Sequence, residues 1–167
     1  AEKQPTMTKE LKNNKWMVEG FEKSAEPIVV EIEETKQSVY IFKCNESVVQ
    51  IKGKCTAVTI DNCKKAGVVM EDVVATVEVI RCNGLQLQTT GSFPSLSIDN
   101  TDGASVFLSA AAVKEVSIYT AKSNAINIMT PGEGEDADMN EAPIPEQFVS
   151  TFVNGKLVSK AVEHIGV

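Results

Sequence analysis

YIFKC at 40–44, TIDNC at 59–63, EVIRC at 78–82 and SIDNT at 97–101 each begin 19 residues after the block before. Counting back three and five residues from the last position of each block reaches Ile41 and Val39, Ile60 and Val58, Val79 and Val77, Ile98 and Leu96, all of them aliphatic. Counting forward five and seven reaches Val49 and Ile51, Val68 and Met70, Leu87 and Thr89, Val106 and Leu108, where Thr89 is the one polar residue. One inserted residue near Ala112 carries the pattern on to Val116 and Ile118, then Ile126 and Ile128. One period back places Val30 and Ile32 in the same register.

Apolar residues alternate with polar ones inside each unit, the two-residue period of a strand and not of a helix face. Short strands recurring at a fixed spacing cannot bury their apolar faces alone and must stack on their neighbours. An antiparallel sandwich also has short strands, but it does not require matching residues at a constant spacing. The expected fold is therefore all-β, a parallel β-helix of about six coils over residues 16–130. Cys44, Cys63 and Cys82 stack on consecutive coils as small buried side chains about 4.8 Å apart. Residues 1–15 are read as a flexible tail, with a weak helical tendency over Lys9–Lys15.

The pattern stops near Met129, where PGEGEDADMNEAPIPEQ (131–147) brings three prolines and six acidic residues and reads as an exposed connector. Within it Asp136, Asp138 and Asn140 imitate the start of a calcium loop, but Glu141 and Gln147 stand where Gly and Glu are required. Beyond it, residues 148–167 hold two apolar runs around Asn154 and Gly155, the dipeptide of a two-residue hairpin turn. A hairpin has no core of its own, and the last coil of a β-helix has an edge to cover. The hairpin either folds back or crosses to a second copy of the chain.

A net charge of −7 and a pI near 4.8 provide no basic face to displace counterions from phosphates, which argues against nucleic acid and anionic membranes. The absence of a long apolar run or a signal-like amino terminus points to a cytoplasmic protein with free thiols. Four cysteines without a C-x-x-C and a single histidine, His164, make a poor metal site, and no cofactor is expected. Asp61 and Asp99 fall two coils apart, roughly 9–10 Å, at the upper limit for an inverting glycosidase pair. Aromatic platforms for a sugar are scarce, so these residues are read as corner formers, and no enzymatic activity is expected. What remains is a stiff surface for binding another protein.

The segments IDNCKKAGVVMEDVVATVEVI (60–80), LSIDNTDGASVFLS (96–109), AKSNAINIMTPGEGED (121–136) and PIPEQFVSTFVNGKLVS (143–159) closely resemble the carboxy-terminal domain of the cyclase-associated protein family. The resemblance covers residues 15–165 and implies a right-handed parallel β-helix whose terminal hairpin is exchanged between two subunits of a homodimer. It also implies binding of monomeric actin, with preference for the ADP form, and exchange of its ADP for ATP. The actin-facing residues it implies are Asn62, Lys64 and Lys65, then Asn100, Thr101 and Asp102, then Lys122, Ser123 and Asn127. Glu141, Pro143, Pro145, Glu146 and Gln147 of the connector join them. Phe148, Phe152, Leu157 and Val158, around the Asn154–Gly155 turn, are implied in dimerisation. Two alternatives remain: an interaction scaffold without actin activity, and a carbohydrate-active β-helix enzyme. The short tail is not expected to supply the filament-binding, Pro-rich and WH2 segments of longer family members. Met139 and Ala142 stand where members of the family tend to have aromatic residues.

Overall fold

Alternating aliphatic residues force each segment to lay one face inward, and the computed structural model, which describes residues 5–134 and 136–162, stacks those faces into two facing sheets. The chain enters through a hairpin of β1 (Thr8–Lys12) and β2 (Lys15–Glu19). From β2 it winds alternately through the two sheets. The first continues with β4 (Ser38–Phe42), β6 (Cys55–Asp61), β8 (Val73–Ile80), β10 (Ser95–Asp99) and β12 (Ser117–Ala121). The second holds β3 (Ile28–Glu31), β5 (Val48–Lys52), β7 (Gly67–Met70), β9 (Asn83–Thr89), β11 (Asp102–Phe107) and β13 (Asn124–Thr130). All neighbours from β2 to β12 and from β3 to β13 are parallel, which makes six coils of a β-helix.

The core is the ladder read from the repeat. Val39, Val58, Val77 and Leu96 pair in register down the first sheet, as do Val49, Val68, Leu87 and Val106 down the second. All eight are at most 1% exposed. Thr89 keeps its place because its buried hydroxyl donates to the Glu71 carbonyl at 3.2 Å and accepts from the Gly91 N–H at 3.2 Å.

The outer coils depart from the constant spacing. Leu96 pairs with Ile118 and Val106 with Ile128, 22 residues on, while Ile28 rather than Val30 pairs with Val49. The expected partners of these end coils are thus displaced by two residues. A slip of two leaves every side chain on its own face, so the buried set survives the error.

The extra residues of the last full coil form a short helix, α1 (Ala110–Glu115), which the apolar pattern did not announce. Ser109 caps it, accepting the Ala112 N–H at 3.1 Å and donating to the Gly91 carbonyl at 2.6 Å, and Ala112 is fully buried. Conversely, Lys9–Lys15 is not helical, and the expected tail is a strand from Thr8. Seven residues are too few to hold a helix unaided, whereas the edge of β2 and a turn of Asn13 and Asn14, both at positive φ, offer ready pairing.

At the other end β14 (Asn140–Pro143) adds antiparallel to β13, and β15 (Phe148–Val153) and β16 (Lys156–Ala161) form a separate hairpin. Asn154 (φ 50°) and Gly155 (φ 77°) make the tight turn expected of that dipeptide. His164 lies outside the described residues.

Candidate binding site

Each coil passes from the first sheet to the second through a four-residue corner. The corners are Gly20–Lys23, Lys43–Glu46, Asn62–Lys65, Arg81–Gly84, Asn100–Gly103 and Lys122–Ala125, and their first and fourth residues all have φ between 46° and 82°. Left-handed backbone disfavours residues with a Cβ by about 1–2 kcal/mol, least for Asn. Stacking holds it in place: in every corner before the last, the first N–H reaches the next coil, as Asn62 to Ile80 at 2.9 Å, Arg81 to Asp99 at 3.0 Å and Asn100 to Ala121 at 3.0 Å.

From Cys44 onward the second corner residue points inward, and its side chain bonds the carbonyl two residues before it. Cys63 reaches Asp61 at 3.5 Å, Cys82 reaches Ile80 at 3.4 Å, Thr101 reaches Asp99 at 3.1 Å and Ser123 reaches Ala121 at 2.9 Å. Thr101 and Ser123 therefore continue the cysteine ladder. Thr101 is 1% exposed and also accepts the Cys82 N–H at 3.3 Å, so it supports the corner from within and is not part of its surface.

The outward residues converge. Asn62, Lys64 and Lys65 from one corner, Asn100 and Asp102 from another and Lys122 from a third line up along a single ridge of the β-helix. Sequence reading passed over Arg81 and Asn83 between them, and Asn124 beside Lys122. Their block, EVIRCNG, lacks the IDN signature, but the constant spacing alone assigns it to the same ridge. Lys64, Arg81, Asn83, Asn100, Asp102, Lys122 and Asn124 border a shallow cleft of about 440 Å³. An acidic chain thus gathers cations locally, which net charge concealed.

The remaining candidates lie apart. Asn127 is on the outer face of β13, between Ser105 and Pro143, and its Oδ1 is shielded from solvent with no hydrogen-bond partner among the described residues. Glu141 and Pro143 sit on β14. Glu146 turns back to accept the N–H of Ala125, which ties the connector to the end of the ridge. Pro143, Pro145, Glu146 and Gln147 line a second cleft that extends to Ala161 and Val162 of the hairpin end.

Asp61 is excluded from any carboxylate pair. Its side chain, 8% exposed, accepts Arg81 Nη2 at 2.7 Å and Nε at 3.1 Å as well as the Tyr40 hydroxyl at 3.1 Å, while Ile80 stands between it and Asp99 in the ladder. Burial, followed by the charge of Asp61, pushes the Tyr40 phenol up to about 12. A carboxylate committed in this way is a structural group, and the glycosidase pair dissolves.

The hairpin leaves its apolar side chains open. Phe148, Phe152 and Leu157 are 59%, 77% and 62% exposed, and Val158 is half-buried. The register puts Phe148, Phe152, Leu157 and Ala161 on one face, joined at its middle by the Ser150–Ser159 hydroxyl pair at 2.8 Å.

Six stacked coils with a polar ridge along their corners and a terminal hairpin define a β-helical domain with an extended polar surface. Residues 4–164 match the family described as "Adenylate cyclase associated (CAP) C terminal", and the chain belongs to that family. Adenylyl cyclase-associated protein 1 of Bos taurus is 42% identical over 166 residues, 99% of this chain and 34% of that protein. Adenylyl cyclase-associated protein of Dictyostelium discoideum is 40% identical over 155 residues, 93% of this chain and 33% of that one. The chain thus spans a third of the length of these relatives. The crystal structure of Cyclase-Associated Protein from Cryptosporidium parvum matches with a TM-score of 0.89 at 29% identity, covering 95% of this chain and 96% of that one.

Proposed function

We propose that this domain binds monomeric actin through the corner ridge, favours its ADP form and promotes exchange of ADP for ATP, returning monomers to filament growth in the cytoplasm. One observation carries the reading: residues that the family resemblance assigns to actin, drawn from three separate segments, meet on one ridge. Exchange needs no bond chemistry from the domain. It requires tighter binding to an actin conformation that releases nucleotide than to the closed ADP state, and the coupling is set by that difference. A stiff ridge suits this, because a surface fixed by inter-coil hydrogen bonds does not remodel to fit the closed state.

The hairpin makes the domain a homodimer by exchange with a second copy, covering Phe148, Phe152 and Leu157 and presenting two ridges. Joint replacement of Lys122→Ala and Asp102→Ala should slow release of a fluorescent nucleotide from ADP-actin, while melting stays near wild type because both side chains are exposed. Undiminished release would remove the ridge from the site. If the unaltered chain does not accelerate release at all, the exchange function fails.

A further inference from the structure

Three of the free cysteines, Cys44, Cys63 and Cys82, fill the second position of successive corners, and none is more than 3% exposed. Cys63 and Cys82 are set directly opposite each other. The Asn62 N–H meets the Ile80 carbonyl at 2.9 Å, the Asn83 N–H meets the Cys63 carbonyl at 3.0 Å, and Lys64 bridges Asn83 immediately beyond. Neighbouring strands lie about 4.8 Å apart, inside the range of roughly 4.4–6.8 Å between Cα atoms that a disulfide spans. The two thiols hold equivalent places on adjacent coils, Cys63 donating to the Asp61 carbonyl at 3.5 Å and Cys82 to the Ile80 carbonyl at 3.4 Å. Of the stacked cysteines, Cys82 borders the cleft along the ridge, which gives a small solute an approach.

We propose that Cys63 and Cys82 are a disulfide-forming pair, closed by hydrogen peroxide, that staples the third coil to the fourth beneath the ridge. The Cys82 thiolate attacks one peroxide oxygen and the O–O bond breaks. The leaving oxygen departs as water after protonation, and Cys82 becomes a sulfenic acid. The Cys63 sulfur then attacks the Cys82 sulfur, the S–O bond breaks as the S–S bond forms, and the hydroxide leaves with the Cys63 proton as a second water. Two thiols lose two electrons and one peroxide becomes two waters. The roles follow from position: Cys82 borders the cleft by which peroxide arrives, whereas Cys63 is fully buried beneath it, and the same order holds for acidity, the Cys82 thiol being lowered and that of Cys63 raised. Burial raises Cys44 and pushes Cys55 up to about 11, leaving both as controls within the same chain.

The proposal does not depend on the identity of the partner and is tested on the intact chain. After peroxide treatment and alkylation under non-reducing conditions, mass spectrometry should show the loss of two hydrogens. Fragment-ion sequencing should then place the link between Cys63 and Cys82, and dithiothreitol should reverse it. Oxidised protein should melt at a higher temperature than reduced protein, since the link closes a loop of the unfolded chain. Cys44→Ser should retain the link and Cys82→Ser should lose it. Mapping of the unaltered chain decides the matter even if a variant folds poorly. Four fully alkylated cysteines after treatment, a link that joins Cys44 to Cys63 instead, or a link only between chains would each overturn the proposal.

Discussion

Arg81 sits 56% exposed yet completes a carboxylate that is 8% exposed, so the two ends of the ion pair have different value to the fold. An exposed pair contributes little, but removing the Arg leaves Asp61 shielded with the Tyr40 hydroxyl as its side-chain donor. Arg81→Ala should destabilise the domain by about 1–3 kcal/mol in urea denaturation, with Arg81→Lys recovering only part because an ammonium cannot reproduce the two-pronged contact. Tyr40 adds a pH dependence to the same cluster. Its phenol is held near 12 in the folded state against 10.0 unfolded, so the folded chain binds that proton more tightly. The resulting stabilisation is complete below pH 10 and is lost as pH rises toward 12. Denaturation curves at these pH values should show the loss, and Tyr40→Phe should flatten it.

Corners and caps are the elements on which the regular strands depend. At the fourth corner position, the consecutive Gly84 (φ 71°) and Gly103 (φ 82°) are flanked along the stack by residues that carry a Cβ, Lys65 (φ 50°) and Ala125 (φ 52°). A Cβ at Gly84 would find its nearest neighbour at 3.7 Å, so there is room, and the penalty of Gly84→Ala is conformational, about 1 kcal/mol. Ala125→Gly should move stability the other way by less, since glycine loses more backbone freedom on folding. Chemical denaturation of the two variants would show opposite signs if the corner backbone sets the cost. Ser109→Ala removes both the cap of α1 and the bond to Gly91, and should cost about 1 kcal/mol or somewhat more by the same measurement.

At the scale of the whole molecule, the β-helix carries its own core while the hairpin has none. Deleting residues 148–167 should therefore leave the strand signal in circular dichroism intact and convert the proposed dimer to a monomer in sedimentation velocity. Phe152→Glu should weaken the dimer without shortening the chain, because a charge would enter the face that carries Phe148 and Leu157. An intact chain that sediments as a monomer at micromolar concentration would overturn the exchange of hairpins.

The alternation of residues such as Val39, Ile41, Val58 and Ile60 was enough by itself to determine the fold, because strand periodicity belongs to the local backbone and a constant spacing fixes the stack. Parity also protected the buried set where register failed: the end coils slipped by two residues, and the same side chains stayed inside. The terminal hairpin was equally legible, since Asn154–Gly155 acts through its own backbone. Tertiary structure alone decided how many residues each outer coil absorbs, and hence that the excess near Ala112 becomes a helix. It also decided where polar side chains point. Thr101 belongs to an inward ladder, Asp61 is claimed by Arg81 from the next coil, and Arg81 and Asn83 join the ridge without an IDN signature. These outcomes rest on contacts between coils, whose direction is set at the left-handed corners, and a linear pattern of apolar and polar residues does not encode that geometry.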